Sequence, residues 1–448
     1  MLTHPMHTPL DMPRALEIAA ACLVLVGSAL AQGDAQAAKP SADELQRRLA
    51  AVEQELATLR AQGEAAAARE KDAEARYQSL LEEIDALKTA GGPSQRAAAW
   101  YDRITLGGYG EIHYNSLEQP DQKQIDIARF VAYLGYRFND WIQLHSEVEI
   151  EGSLVAPDGT GELSIEQLHF DFLLDRHFNV RAGRFLVPLG IINQTHEPTT
   201  FNGVERPDFE TFVIPTTWVS DGAGCFGDVS DRLKYQVYVG SSLDGSKFDP
   251  VTGIREGRQE GVAGLGQAAL MGRLDYSPVQ SSAQNLRLGA SFFGGGVNNG
   301  PNGVNPGIDA DLEVYSADFQ YSVADFDFRG VYAFEKINGA ESIGNNVASE
   351  IDGYYLESAY HFWPDDWKAG RLERSDAIVF VRYDDVDTQK SVPPGVAKDP
   401  RGHRTVWTSG LSFFPTDDLV IKTDYQVYDD DTAQGLSNRF NVGLGFRF

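Results

Sequence analysis

The segment from Arg439 to Phe448 alternates strictly: Phe440, Val442, Leu444, Phe446 and Phe448 share one face, and Arg439, Asn441, Gly443, Gly445 and Arg447 share the other. Period-two patterning with one fully apolar face is what a strand needs when one side meets lipid and the other a watery lumen. A terminal aromatic on the apolar face also resembles the signal by which outer-membrane assembly recognises its clients. An ordinary sandwich strand gives the same local pattern, so the reading depends on whether the pattern repeats.

It does repeat. Alternating segments rich in Tyr, Phe, Val and Leu begin near Ile104, Ile125, Trp141, Leu163, Phe178, Trp218, Arg232, Gln267, Asn285, Ala310, Phe326, Ile351, Asp376, Arg404, Asp418 and Leu436. Even-numbered segments end in tight turns such as Asn139-Asp140, Ser230-Asp231 and Ala324-Asp325, whereas odd-numbered ones end in long polar loops such as Ile191 to Thr217, Ser246 to Gly266 and Asp387 to His403. Trp363 to Ser375 is a longer connection on the short side. Short turns on one side and long loops on the other are the plan of an outer-membrane barrel, with both termini on the periplasmic side. In the third segment Ile142, Leu144, Ser146, Val148 and Ile150 point one way, and Gln143, His145, Glu147, Glu149 and Glu151 the other. Three inward carboxylates imply a wet interior. A barrel of this size also encloses more space than side chains fill. The expected fold is an all-β transmembrane barrel of 16 antiparallel strands, preceded by an N-terminal α-helical coiled coil.

The chain has 448 residues, and its 42% hydrophobic content suits a barrel, whose strands need only half their positions apolar. Beyond residue 31 there is no apolar run of the ~18 residues that a spanning helix requires. Residues 1–31 read as a signal peptide: Arg14, the apolar stretch Ile18 to Leu30, then Ala29-Leu30-Ala31. Cys22 falls inside that signal, so Cys225 is the one cysteine of the mature chain and no internal disulfide forms. Residues 42–90 read as a periplasmic coiled coil. Its seam runs through Leu45, Val52, Leu59, Ala66, Ala73, Leu80 and Leu87 and through Leu49, Leu56, Gly63, Glu70, Tyr77 and Ile84, apolar except at Gly63 and Glu70. A rod of about 65 Å has nothing in its own chain to pack against, so the expected partner is the same helix of another subunit. Gly91-Gly92-Pro93-Ser94 ends it as a hinge, and residues 101–448 form the barrel.

Arg181-Ala-Gly-Arg-Phe-Leu-Val-Pro-Leu-Gly190, then Ile191-Ile-Asn-Gln-Thr-His-Glu-Pro198, Gly203-Val-Glu-Arg-Pro207 and Ile214-Pro-Thr-Thr-Trp218 resemble the phosphate-selective porin O and P family, as do Thr105-Leu-Gly-Gly-Tyr-Gly-Glu111 and Ala128-Arg-Phe-Val131. The resemblance spans roughly residues 100 to 448. It implies a trimeric sixteen-stranded outer-membrane porin with a loop folded into the channel.

Read from its residues, Ile191 to Thr217, with Pro198, Pro207 and Pro215, is too long for a bare connection and is expected to fold inward as a constriction. His196, Glu197, Glu205 and Arg206 are its candidate channel groups; the alternative is that Glu205 and Arg206 brace the loop against the wall. By alternation Arg129, Arg137, Glu147, Glu149 and Arg181 line the lumen from the strands. The net charge is −27, and much of the acid falls in outer loops, where it is solvated or bridges divalent cations to lipopolysaccharide phosphates. With Glu197, Glu205, Asp208 and Glu210 against Arg206 alone, the loop predicts a weakly selective or cation-leaning pore, whereas the family resemblance implies phosphate or other anions.

The expected function is passive diffusion of small hydrophilic solutes and ions, without catalysis, cofactor, metal or nucleic acid. Outer-membrane lipid and lipopolysaccharide are the expected surroundings, and a homotrimer the expected assembly. Two alternatives from other classes are an anchor tethering the cell wall through the coiled coil and a barrel hydrolase using His196 and Glu197. No nucleophile is identifiable beside that pair.

Overall fold

The computed structural model describes residues 100–118, 122–153, 155, 161–259, 261–300, 303–432 and 435–448. The expected signal peptide and coiled coil lie outside the described residues. The barrel strands are β1 (Ile104–Leu117), β2 (Gln122–Arg137), β3 (Ile142–Glu151), β4 (Glu162–Phe172), β5 (Asn179–Leu186), β6 (Val219–Ser230), β7 (Leu233–Ser241), β8 (Ala268–Gln280), β9 (Gln284–Gly296), β10 (Asp311–Val323), β11 (Phe326–Asn338), β12 (Glu350–His361), β13 (Asp376–Ser391), β14 (His403–Thr416), β15 (Leu419–Asp430) and β16 (Arg439–Arg447). Each pairs antiparallel with its chain neighbours, and β1 pairs with β16 to close the barrel. The sixteen strands begin within three residues of the positions read from the alternation.

Closure occurs where the chain ends. The Gly108 amide donates to the Phe448 carbonyl at 3.0 Å, and the Phe448 amide donates back to Gly108 at 2.9 Å. Glycine is required there, since a Cβ on Gly108 would lie 2.2 Å from the Val131 carbonyl oxygen and 2.9 Å from the Phe448 ring. The Phe448 ring stacks on Phe130 of β2.

The outward face is apolar along its length, with Leu134, Val148, Leu168, Leu270, Leu356, Val381, Leu411 and Leu444 exposed. Phe138, Trp141, Phe178, Phe326, Tyr360 and Trp367 cluster toward the short-turn end, and Tyr315 and Trp407 lie toward the long-loop end. Two aromatic girdles around an apolar band match the two interfaces of a bilayer.

The interior is divided along its length. Toward the long loops, β8 to β11 turn Met271, Phe293, Leu312, Val314, Val331 and Ala333 inward, where they pack with Phe185, Val187, Leu189, Ile192, Phe209, Ile214 and Trp218 in one buried cluster. Toward the short turns, the same strands turn Arg273, Arg287, Asp318 and Arg329 inward. The uniformly wet interior expected from β3 is therefore replaced on this side by an apolar seat for the loop after β5. Part of the signal was in the sequence: Ala268-Ala-Leu-Met271 is apolar on both faces, the mark of a strand buried on both sides.

Candidate functional site

The segment Val187 to Trp218 between β5 and β6 folds into the barrel. Its two ends are held together by Asn193, fully buried, whose amide nitrogen donates to the carbonyls of Val187 (2.7 Å) and Trp218 (3.0 Å) while its oxygen accepts from the Trp218 amide (2.9 Å). Gly190 adopts φ +65°, and any Cβ there would meet the Glu210 carboxylate at 2.8 Å. That carboxylate lies on a short helix, α1 (Phe209–Phe212), and accepts from the amides of Ile191 (3.1 Å) and Ile192 (3.4 Å). Burial, against those two donors, pushes the Glu210 carboxyl up to about 8.

The walls grip the loop around most of the barrel. Arg273 of β8 donates to the Gly190 carbonyl (2.9 Å), Arg329 of β11 to Thr200 (3.1 Å) and Lys422 of β15 to Phe201 (2.8 Å). Asn202 donates to Glu357 of β12 (2.9 Å), and the Phe209 amide to Asp384 of β13 (3.3 Å). From the other side, Asn115 of β1 donates to Glu205 (2.7 Å), and Tyr133 of β2 to Glu197 (3.4 Å). The loop thus meets polar side chains on opposite walls, so it crosses the lumen rather than lying over its mouth.

The expected site residues fall on two sides of this crossing. His196 and Glu197 border a cavity of about 430 Å³ toward the short turns, together with Arg137, Glu147 and Arg181. Arg181 is held bidentate by Asp171 at 2.8 Å through both contacts. Glu205 and Arg206 border a cavity of about 230 Å³ toward the long loops, together with Arg129. Arg129 pairs with Glu111 (2.7 Å) and Glu149 (3.3 Å). Glu205 and Arg206 also brace: Glu205 contacts His113 at 3.3 Å, and Arg206 donates to Thr216 (2.9 Å) and to the His196 carbonyl (3.3 Å). Despite its partial burial, hydrogen bonds from His113 and Asn115 hold the Glu205 carboxyl down at about 2. His196 and Glu197 do not form a pair: the His196 ring faces Glu166, and Glu197 accepts from Tyr133.

The fold gives the loop carboxylates partners and adds arginines from elsewhere in the chain. Glu205 is taken by His113 and Asn115, Asp208 accepts from the Tyr428 hydroxyl (3.2 Å), and Glu210 is turned onto backbone amides. The smaller cavity gathers Arg255, Arg404 and Arg439 beside Arg129 and Arg206, against Glu111, Glu205 and Asp208. Among the described residues Arg206, Arg404 and Arg439 have no carboxylate within ion-pair distance; Arg404 and Arg439 lie instead over the rings of Phe212 (4.0 Å) and Tyr428 (5.2 Å). Alternation had already turned Arg439 inward and Arg206 was read from the loop itself; sequence reasoning missed Arg255 and Arg404, which come from a second inward loop and from β14. That second loop, between β7 and β8, is anchored by Arg258 on the Thr216 carbonyl (2.7 Å), Arg255 on Thr211 (3.1 Å) and Arg404 on Val251 (2.6 Å). Its apolar Phe248 and Ile254, fully buried here, were the available signal.

No protein-family model matches the chain. An uncharacterized protein of Aquifex aeolicus (strain VF5) is 32% identical over 344 residues, covering 72% of this chain and 75% of that protein. Among solved structures, Pseudomonas putida OprB at high pH has a TM-score of 0.50 at 11% identity, covering 79% of this chain and 96% of that one. The outer membrane channel DcaP of Acinetobacter baumannii has a TM-score of 0.50 at 10% identity, covering 77% and 97%. Salmonella typhi OmpF in complex with daunomycin gives 0.50 at 10%, covering 77% and 97%. These likenesses establish a shared barrel fold.

Proposed function

The chain belongs to one family with the Aquifex aeolicus protein, and on that premise and its barrel we propose that it is an outer-membrane porin passing small hydrophilic solutes. The observation that carries the reading is the division of faces: an apolar girdled exterior, and an interior of charged side chains narrowed by a loop pinned to opposite walls. A barrel serving only as an anchor does not need an ordered internal loop. The porin fold of the structural neighbours supports the same reading.

The cargo we propose is a small anion. The arginine excess at the cavity of about 230 Å³ lies beside the loop, where charge acts at short range and salt screens least. The resemblance of the Arg181–Trp218 motifs to the phosphate-selective porin O and P family points the same way, and phosphate is one candidate. We further propose that residues 1–31 are an export signal, that residues 42–90 form a periplasmic coiled coil, and that the barrel sits as a homotrimer among outer-membrane lipid and lipopolysaccharide.

Purified full-length protein added to a planar lipid bilayer tests the function. Stable stepwise conductance is the expected result. A purified, heat-modifiable barrel that produces no steps would leave the anchor reading in its place.

A further inference from the structure

On the short-turn side of the loop, Tyr109 of β1, Glu147 of β3, Glu166 of β4 and His196 of the loop come together, with relative exposures of 0%, 2%, 4% and 3%. A break in register brings Glu166 there. The pairing of β3 with β4 steps from Glu147 opposite Gln167 to Val148 opposite Ile165, which leaves Glu166 as an extra, unpaired residue. Such a bulge re-aims a side chain, and Glu166 is turned into the barrel beside Glu147.

The histidine is oriented. Its Nδ1 lies 3.0 Å from the Asn193 carbonyl oxygen, so Nδ1–H donates to the residue that ties the ends of the loop together. Nε2 is then directed at the carboxylates, 3.1 Å from Glu166 Oε1 and 3.9 Å from Glu147 Oε1. The other oxygen of Glu147 accepts from Gln167. The Tyr109 ring stands edge-on to the imidazole at 5.8 Å between centroids. His196 Nε2 and Glu166 Oε1 meet each other, but Glu147 Oε1, Glu166 Oε2 and the Tyr109 hydroxyl have no hydrogen-bond partner among the described residues. Buried carboxylate oxygens left without a donor are expensive.

We propose that His196 Nε2, Glu147 Oε1 and the Glu166 carboxylate bind one divalent transition-metal ion of the zinc class. The donor atoms already lie within 4.8 Å of one another. Around a tetrahedral ion with bonds of about 2.0–2.1 Å, ligand atoms are separated by roughly 3.3 Å. The 3.1 Å contact fits that spacing, and the 3.9 Å contact needs only a small closure. An imidazole with two carboxylates suits zinc or manganese better than calcium, which prefers oxygen alone. The Asn193 carbonyl on Nδ1 and Gln167 on Glu147 form the supporting shell that such sites use to fix ligand orientation. A nearby group, His145, His169 and Asp171, lacks this character because Arg181 already occupies the Asp171 carboxylate. The ion would clamp the loop to the β3–β4 wall, and its binding is independent of whether the barrel conducts.

The test uses tag-free full-length protein in detergent, stripped with chelator, titrated with zinc chloride, desalted and assayed for bound metal. One zinc per chain is expected, lost in His196→Ala and in Glu166→Gln, and retained in His169→Ala. Heat-modifiable electrophoretic mobility reports whether each variant is folded. X-ray absorption on the wild-type zinc protein needs no variant: a shell with one imidazole and oxygen ligands supports the site. A shell with several imidazoles or with sulfur overturns it, as does sub-stoichiometric zinc in the wild type or undiminished zinc in the folded variants.

Discussion

Two clusters of buried charge on the inner wall are satisfied to different degrees. On β8 to β13 arginines meet carboxylates directly: Arg273 binds Asp318 through two contacts (2.7 and 2.9 Å), Arg329 binds Glu357 (2.6 Å), and Arg382 binds Asp384 (2.9 Å). Each of these arginines also reaches a loop carbonyl, at Gly190, Thr200 or Asn202. Between β3 and β4, by contrast, Glu147 and Glu166 each keep an oxygen without a partner although they are just as buried, while Arg129 nearby is paired with Glu111 and Glu149. The first arrangement holds the loop by itself; the second is complete only with something further bound. Glu335 on β11 departs from this division, since neither of its buried oxygens has a partner, and nothing in the structure explains it.

The largest expected effect comes from breaking the paired side. Arg382→Ala leaves Glu357 and Asp384 buried beside an emptied site and should cost about 3–5 kcal/mol, read as a lower denaturant midpoint for the detergent-folded barrel. A loss within error would mean that water restores the pairing and that the arginines do not hold the loop.

A matched pair of neutral substitutions sharpens the contrast. Asp318→Asn weakens a satisfied bidentate contact and should cost about 1–3 kcal/mol. Glu166→Gln, in protein stripped of metal, removes a carboxylate that has one oxygen on His196 and the other without a partner, and should cost less than Asp318→Asn. Equal losses in both would erase the distinction between the walls.

Glu210 is an intermediate case, with one oxygen on backbone amides and the other unpartnered. Its folded carboxyl, raised to about 8, binds a proton that the unfolded chain has already released above pH ~4.5. Stability should therefore be full in acid and fall as pH rises toward 8, by at most about 1.4 kcal/mol per pH unit for one proton. Glu210→Gln should remove this slope. A wild-type slope of the opposite sign, or one unchanged in the variant, would place the titration elsewhere.

Much of the barrel was legible because alternation is local. Each of Ile104, Phe326 and Asp376 opens a strand that its own neighbours announce, and the long proline-bearing loop was marked by its length. The interior was less legible because its partners are distant in sequence. Nothing near Arg206 announces Arg255 or Arg404, and Glu205 could be read as a free loop charge until β1 supplied His113 and Asn115. The bulge at Glu166 belongs to a pairing between two strands and cannot be seen in either alone. The count of carboxylates along the loop left out their partners for the same reason.

The most direct test of the account is the reversal potential of single channels across a salt gradient, for wild type and for Arg206→Ala. The arginine excess beside the loop predicts an anion-selective wild type whose preference weakens in the variant. A cation-selective wild type, or a preference unmoved by the substitution, would contradict the claim that the loop-side arginines govern passage.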